Sequence, residues 1–252
     1  MAFKELHNRN VHTWSVHDPL AHSREVRAMF ARIAGVYDFM NHLLSLNLDR
    51  RWRRRLIAHV KDGVGEVLDL CAGTGELSLA CSRMGKGRIL VAADFCLEML
   101  LKGRKKRGAE VLLPLAADAM QLPFASRSFD AVLVGFGVRN FADVRRGLQE
   151  MTRILRTHGQ LLVLDFFRDD LGGDGARHGM PALIRQGVNV LIPLLGRLFG
   201  RDSDAYRYLP GSIGEFLTPA EFADLLYTNG YQDIFIERMI FGVTHIIGGK
   251  KT

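Results

Sequence analysis

The stretch Glu66-Val67-Leu68-Asp69-Leu70-Cys71-Ala72-Gly73-Thr74-Gly75-Glu76-Leu77-Ser78 constrains this chain more than any other. Val67, Leu68 and Leu70 form a short apolar run, Gly73-Thr74-Gly75 interrupts it, and Leu77-Ser78-Leu79-Ala80 resumes with helical character. The segment therefore predicts strand, tight turn and helix. Such a turn brings a ligand close to bare backbone and offers unpaired N–H groups at a helix N-terminus, which suits an anionic or strongly polar ligand. A dinucleotide fingerprint would carry a third glycine at position 78, where this chain has Ser78.

Two carboxylates sharpen the reading. Asp69, at the strand end, either fixes the loop or faces a cationic group of the ligand. Asp94 closes a second apolar run, Ile89 to Ala93, at the distance from the loop where an acid accepts hydrogen bonds from ribose hydroxyls. Glycine loop plus acid reads as a nucleoside site. The pattern Asp69-x-x-x-Gly73-x-Gly75 resembles the S-adenosylmethionine loop of the class I methyltransferases. That resemblance implies S-adenosyl-L-methionine as cofactor, with Asp69, Gly73, Thr74, Gly75 and Asp94 among its binding residues.

At 252 residues the chain is long enough for one large α/β domain with a substantial core. A hydrophobic share of 48% and a charged share of 24% are ordinary for a globular protein. The net charge of +7 comes largely from two runs, Arg50 to Arg55 and Lys102 to Arg107. They are read as solvated helix faces rather than a nucleic-acid footprint, so RNA is not expected as a partner. Cys71, Cys81 and Cys96 have no metal-like spacing and read as buried apolar fillers in a reducing compartment; no metal site is expected. No secretory signal and no charge-free span is present, which predicts a cytoplasmic protein, with peripheral contact at the inner face of a membrane left open.

Residues 1–23 carry His7, His12, His17 and His22 at a spacing that suits no helix face, and read as a mobile arm ahead of a single domain over 24–252. From Arg24 to Arg55 apolar residues recur at three- and four-residue spacing, predicting a pair of helices that form a cap over 24–60. Beyond the glycine loop, strand and helix patterns alternate: strands at Ile89 to Asp94, Val111 to Ala117, around Ala131 to Val134 and at Gln160 to Phe166, with helices at Glu98 to Arg107 and Val144 to Leu155. Alternation of this kind predicts a mostly parallel sheet covered by helices, whose ligands bind outside the carboxyl ends of the strands. Asp118-Ala119 ends the third strand, where the carboxylate accepts from an exocyclic amine or caps the following turn. Residues 171–215 interrupt the rhythm with an apolar insertion read as a lid. Thr218-Pro219 starts a helix, and strands at Asp233 to Arg238 and Gly242 to Ile247 complete the sheet.

Tyr37-Asp38-Phe39-Met40-Asn41-His42-Leu43-Leu44-Ser45 with Trp52, the string Leu122-Pro123-Phe124, Ser128-Phe129-Asp130 and Phe136-Gly137-Val138-Arg139-Asn140, and the Tyr206-Arg207-Tyr208-Leu209-x-x-Ser212-Ile213 frame are similar to the ubiquinone/menaquinone biosynthesis C-methyltransferases. The resemblance covers roughly Arg24 to Lys250. It implies a Rossmann-like class I methyltransferase with a seven-stranded sheet whose last strand is antiparallel, transferring methyl to a ring carbon of a lipophilic prenylated quinol. Asp49 stands where that family normally has a histidine, Gly135 where many relatives carry a serine, and Asp165 where a glutamate is usual.

Methylation at carbon needs an ionised ring hydroxyl, hence a base or a cation that lowers the phenol pKa. Arg139 is assigned to the phenolate, Asn140 to orienting the ring, and Tyr37 and Asn41 to closing the cap over donor and acceptor. Asp165 or His158 is the candidate proton acceptor. Asp118, Ala119 and the Gly135 backbone join the cofactor set. A methyltransferase acting on RNA or a small aromatic, a dehydrogenase, and a non-catalytic nucleotide-binding relative are the competing readings. A homodimer is compatible with all of them.

Overall fold

The computed structural model describes residues 18–168, 208, 211–239, 242 and 244–252. Three helices precede the sheet: α1 (Pro19–Ile33), α2 (Tyr37–Leu44) and α3 (Leu48–Ala58). The sequence pattern predicted two, beginning at Arg24. Instead α1 starts at Pro19, inside the stretch read as an arm, because the Asp18 side chain accepts from the N–H groups of Leu20 and Ala21 and proline occupies the first turn. Residues 1–17 lie outside the described residues.

The α/β body follows as β1 (Glu66–Leu70), α4 (Glu76–Arg83), β2 (Ile89–Asp94), α5 (Leu97–Gly103), β3 (Leu112–Ala116), β4 (Phe129–Gly135), α6 (Val144–Ile154), β5 (Leu155–Phe166), α7 (Pro219–Thr228), β6 (Tyr231–Arg238) and β7 (Thr244–Lys251). The seven strands run in the order β3-β2-β1-β4-β5-β7-β6. β7 is antiparallel to both β5 and β6, and the remaining pairs are parallel. Pro114 is tolerated because β3 is an edge strand.

Two apolar layers sandwich the sheet, as alternation along each strand requires. Leu68, Leu70, Leu161 and Val163 pack on one face with Leu148 and Met151 of α6 and Phe222 of α7. Val67, Leu162 and Leu164 pack on the other with Trp52, Leu56 and Ile57 of α3. Strand order reverses at β1, between β2 and β4, and the crevice above that reversal is where an open α/β sheet binds its ligand.

β5 begins at Leu155 rather than Gln160, and β6 and β7 extend beyond their predicted limits to Tyr231 and Lys251. The lid reading of 171–215 lies outside the described residues, apart from Tyr208 and 211–215. Among the described residues no helix is long and apolar enough to cross a membrane.

Candidate active site

The glycine turn and the end of β2 form the floor of a cleft. Gly73 sits at φ 55° and Gly75 at φ 75°, both in the left-handed region that favours glycine. The Gly73 N–H donates to Asp94 Oδ2 at 2.8 Å, and the Cys96 N–H donates to Asp94 Oδ1 at 2.8 Å. Asp94 is therefore clamped between loop and helix, with a lone pair left on each oxygen for ligand hydroxyls. Burial pushes its carboxyl up to about 6, against the opposing pull of those two N–H groups.

Of the cofactor residues expected from sequence, Gly73, Asp94, Asp118, Ala119 and Gly135 line the cleft. Asp118 Oδ1 also accepts from the Met120 N–H at 2.9 Å, so the capping and ligand readings of this carboxylate coexist. Asp69, Thr74 and Gly75 stand behind the cleft. Asp69 Oδ2 accepts from the Ser78 N–H at 2.9 Å and its hydroxyl at 2.5 Å, which makes it the brace between β1 and α4. Gly75 is the N-cap of α4.

Thr74 is 2% exposed and lies at the centre of a cluster that the sequence did not reveal. Its hydroxyl donates to Asp38 Oδ1 at 2.5 Å and accepts from Lys106 Nζ at 2.8 Å. Lys106 also reaches Asp38 Oδ2 at 2.7 Å and Glu76 Oε1 at 2.5 Å. Cap helix α2, the glycine loop and α4 are thereby tied to one ammonium group.

The cap supplies the roof. Tyr37 packs edge-on against Phe30, ring centroids 5.9 Å apart, and lines the cleft opposite Gly73. Burial raises its phenol, with Asn41 and Arg139 pulling the other way. Asn41 thus acts on the Tyr37 phenol from its side and is not among the lining residues. Asp49, at the family's histidine position, gathers Arg53, the Ser45 hydroxyl at 2.8 Å and His42 Nδ1 at 2.9 Å. Burial works to raise its carboxyl, but these partners outweigh it and hold it below the ordinary value.

Beyond β4 the backbone turns through Phe136 at φ 63° into the Val138–Asn140 turn. Asn140 lines the cleft, and its Oδ1 accepts from the Tyr208 hydroxyl at 3.0 Å. Arg139 is not a lining residue. It is 6% exposed, with Nη1 donating to Asp165 Oδ1 at 2.5 Å and to the Phe136 carbonyl at 2.8 Å. Asp165, fully buried in that pair, is occupied by Arg139 and by the Phe166 N–H at 2.8 Å, and so is not free to act as a base. His158 is excluded by position: it lines a separate polar groove with Lys61, Arg88 and Arg156 at the amino-terminal edge of the sheet.

These walls combine two carboxylates, Asp94 and Asp118, with the aromatic rings of Phe30, Tyr37 and Phe95. Carboxylates repel a pyrophosphate and accept from ribose hydroxyls and an exocyclic amine, while aromatic faces attract a cation. The set fits a cationic nucleoside. The sequence profile described as the ubiE/COQ5 methyltransferase family matches residues 19–251.

The chain belongs to that family. The methyltransferase is 38% identical over 227 residues to a demethylmenaquinone methyltransferase of Thermus thermophilus, covering 88% of this chain and 100% of that protein. It is 34% identical over 239 residues to the enzyme of the same name from Porphyromonas gingivalis, covering 91% and 94%. It is also 34% identical over 227 residues to a ubiquinone/menaquinone biosynthesis C-methyltransferase of Desulfotalea psychrophila, covering 90% of each. Among solved structures, a putative S-adenosyl-L-methionine-dependent methyltransferase of Methanococcus maripaludis superposes with TM-score 0.61 at 17% identity, covering 88% of this chain and 93% of that one. A putative methyltransferase in complex with the Trm112 activator of Haloferax volcanii gives 0.60 at 18%, covering 88% and 96%. At these identities the structures bear on the fold, which is that of the class I methyltransferases. S-adenosylmethionine is the methyl donor of this enzyme.

Proposed function

We propose that the enzyme methylates a ring carbon of a demethylated, prenylated quinol, of the demethylmenaquinol type, in quinone biosynthesis. The observation that carries the reading is the agreement of relatives bearing that activity with nearly the whole chain, cap included. The bound donor supplies a methyl group already activated on a sulfonium, so the protein has to align, desolvate and ionise the acceptor. Tyr37, Phe95 and Asn140 line the cleft, so two aromatic rings and one amide face the bound donor. Arg139, permanently charged, lowers the pKa of a nearby phenol and stabilises its anion. As the ring carbon bonds to the methyl carbon, the sulfonium–methyl bond breaks and S-adenosylhomocysteine is the leaving group; the ring carbon then gives up its proton to water, which restores aromaticity.

The test is to incubate the purified enzyme with labelled S-adenosylmethionine and, separately, demethylated quinols and tRNA. Label is expected in the quinol. Label in the RNA, or in neither, overturns the reading.

We also propose that the enzyme meets its lipid-like substrate at the cytoplasmic face of a membrane through the α2–α3 corner. Phe39 is 54% and Leu46 62% exposed there, and Arg50, Arg51 and Arg54 are exposed beside them. Apolar side chains set among arginines suit an anionic bilayer surface. Co-sedimentation with phosphatidylglycerol vesicles, lost in Leu46→Asp and in high salt, is the expected result; equal binding to neutral vesicles argues against it.

A further inference from the structure

Behind the cofactor cleft lies a row of aromatic rings. Trp52 of α3 stands 6.3 Å from Phe136, centroid to centroid, and Phe136 stands 5.1 Å from Phe166. Phe136 and Phe166 follow or end β4 and β5, which are joined there by the Phe136 N–H donating to the Leu164 carbonyl at 2.7 Å. Both rings are only half-buried. Phe136 also lines the cofactor cleft, so the row begins where the methyl donor's site ends. Its backbone is held at φ 63°, an unfavourable angle for a bulky residue and one that persists where surrounding structure enforces it, often at functional sites.

Each end of the Phe136–Phe166 pair carries a cation. The Arg53 guanidinium lies 5.6 Å from the Phe136 centroid and that of Arg139 lies 5.5 Å from the Phe166 centroid. Each end also carries a buried N–H with no hydrogen-bond partner among the described residues: Trp52 Nε1 beside Phe136, and Arg139 Nε beside Phe166. Trp52 is 8% exposed and Arg139 6%, so water does not readily satisfy these donors. Buried donors are almost always paired, and an unpaired one points to a partner that has yet to bind. Asp165 and the Phe136 carbonyl occupy Arg139 Nη1, and Nε is the buried donor of the group left in reserve.

We infer that this row is the acceptor-ring site, in which Trp52 Nε1 donates to one oxygen of a 1,4-dioxygenated aromatic ring and Arg139 Nε to the other. The inference rests on the proposed quinol methylation and assigns the ring's contacts within it. A flat ring stacks on Phe136 and Phe166, as aromatic pairs do at such spacings. Two oxygens across such a ring supply the two acceptors that the unpaired donors at the ends of the pair call for. The flanking guanidiniums favour ionisation of the ring hydroxyl, and Phe136 also lines the donor's cleft. Trp52, fixed in the core by α3, therefore selects for an acceptor with a second ring oxygen.

Two measurements test this. The chain has two tryptophans, so Trp14→Phe leaves Trp52 as the single indole fluorophore. Titration with 1,4-naphthoquinone should quench its emission saturably, and S-adenosylhomocysteine should not compete. In the second, Trp52→Phe keeps an aromatic ring but removes the N–H. It should raise KM for a demethylated quinol about tenfold, the value of one neutral hydrogen bond, while donor Kd stays at the wild-type value. With a 1-naphthol acceptor, which lacks the second oxygen, wild type and variant should have the same KM. Unquenched emission, or an unchanged quinol KM in Trp52→Phe, overturns the inference while wild-type quinol methylation keeps the parent reading. Absence of quinol methylation by the wild type overturns both.

Discussion

Lys106 Nζ lies 2.7 Å from Asp38 Oδ2, joining the turn after α5 to the first turn of the cap helix that carries Tyr37. The same ammonium holds Glu76 and the Thr74 hydroxyl, so the roof and the floor of the cofactor cleft share one fastening point. Its hydrogen bonds to charged partners are each worth about 1.5–3 kcal/mol where solvent is excluded, less here because the groups are partly exposed. Lys106→Met leaves Asp38 and Glu76 to repel each other and frees α2 from the loop. The expected outcome is roughly tenfold faster dissociation of S-adenosylhomocysteine, with Lys106→Arg close to wild type. Stopped-flow release rates that are equal for all three proteins would show that the cap is held elsewhere.

A second constraint on the glycine loop comes from outside it. A Cβ at Gly103 would lie 2.7 Å from the Thr74 carbonyl oxygen and 2.8 Å from its carbon, a clash with backbone that no side-chain rotation relieves. Gly103→Ala should therefore displace the loop, with an overpacking cost of about 1–3 kcal/mol and a matching loss of donor affinity. Gly35, with no described atom within 4 Å of its Cβ position, provides the control: Gly35→Ala should be neutral or slightly stabilising. Calorimetric Kd values that change equally in the two variants would contradict this account.

Neither Lys106 nor Gly103 was recognisable as part of the site from sequence. Both belong to a run of basic residues that reads as a solvated face, and the acids that neutralise Lys106 come from distant parts of the chain. The glycine loop itself was legible because an apolar strand, two glycines and a helical pattern agree locally, and Asp94 because strand ends determine where ligands sit. The direction of the Asp69 side chain was not. The strand alternates sides at every residue, and only the tertiary fold shows that this carboxylate braces Ser78. Similarly, Thr157-His158-Gly159 reads as a turn, yet β5 passes through it with His158 at φ 64°, and the register against β4 shifts at the same place. Arg139 was correctly placed at the mouth of β4, but nothing local in the sequence pairs it with Asp165; that ion pair emerges only when β4 and β5 lie side by side and both side chains are buried.

Two buried acids give the free enzyme a characteristic pH response. Burial raises the Asp69 carboxyl to about 7, against the pull of Ser78, and raises Asp94 to about 6. Both are protonated in the folded chain over a range where the unfolded chain, with ordinary carboxylates, is ionised. Folding therefore takes up protons in that window, and stability falls as pH rises from about 4 to about 7 through these groups. Asp69→Asn should remove part of this slope and raise the thermal midpoint more at pH 7.5 than at pH 5. Asp94 is needed as an anion by a cationic nucleoside, so donor affinity should weaken as pH drops below about 6, with proton release on binding. Isothermal titration in buffers of different ionisation enthalpy checks the proton count; a Kd independent of pH from 5 to 7.5 would exclude Asp94 from the cofactor site.

The buried pair of Arg139 with Asp165 separates folding from catalysis. Removing one member leaves an uncompensated charge beside the sheet, at a cost of about 3–5 kcal/mol, so Arg139→Met and Asp165→Asn should each lower the thermal midpoint strongly. Replacing both members together relieves that cost, because apolar or neutral groups of similar volume are often as stable as the ion pair. Arg139→Met with Asp165→Asn should thus melt near the wild-type temperature. Turnover should respond differently: if the guanidinium stabilises the ionised ring hydroxyl, no neutral pair restores it, and kcat should stay on the order of a hundredfold or more below wild type while donor Kd changes little. Recovery of both melting temperature and kcat in the double variant would reduce Arg139 to a packing role and move the phenolate-stabilising charge to Arg53, the other guanidinium over the aromatic row.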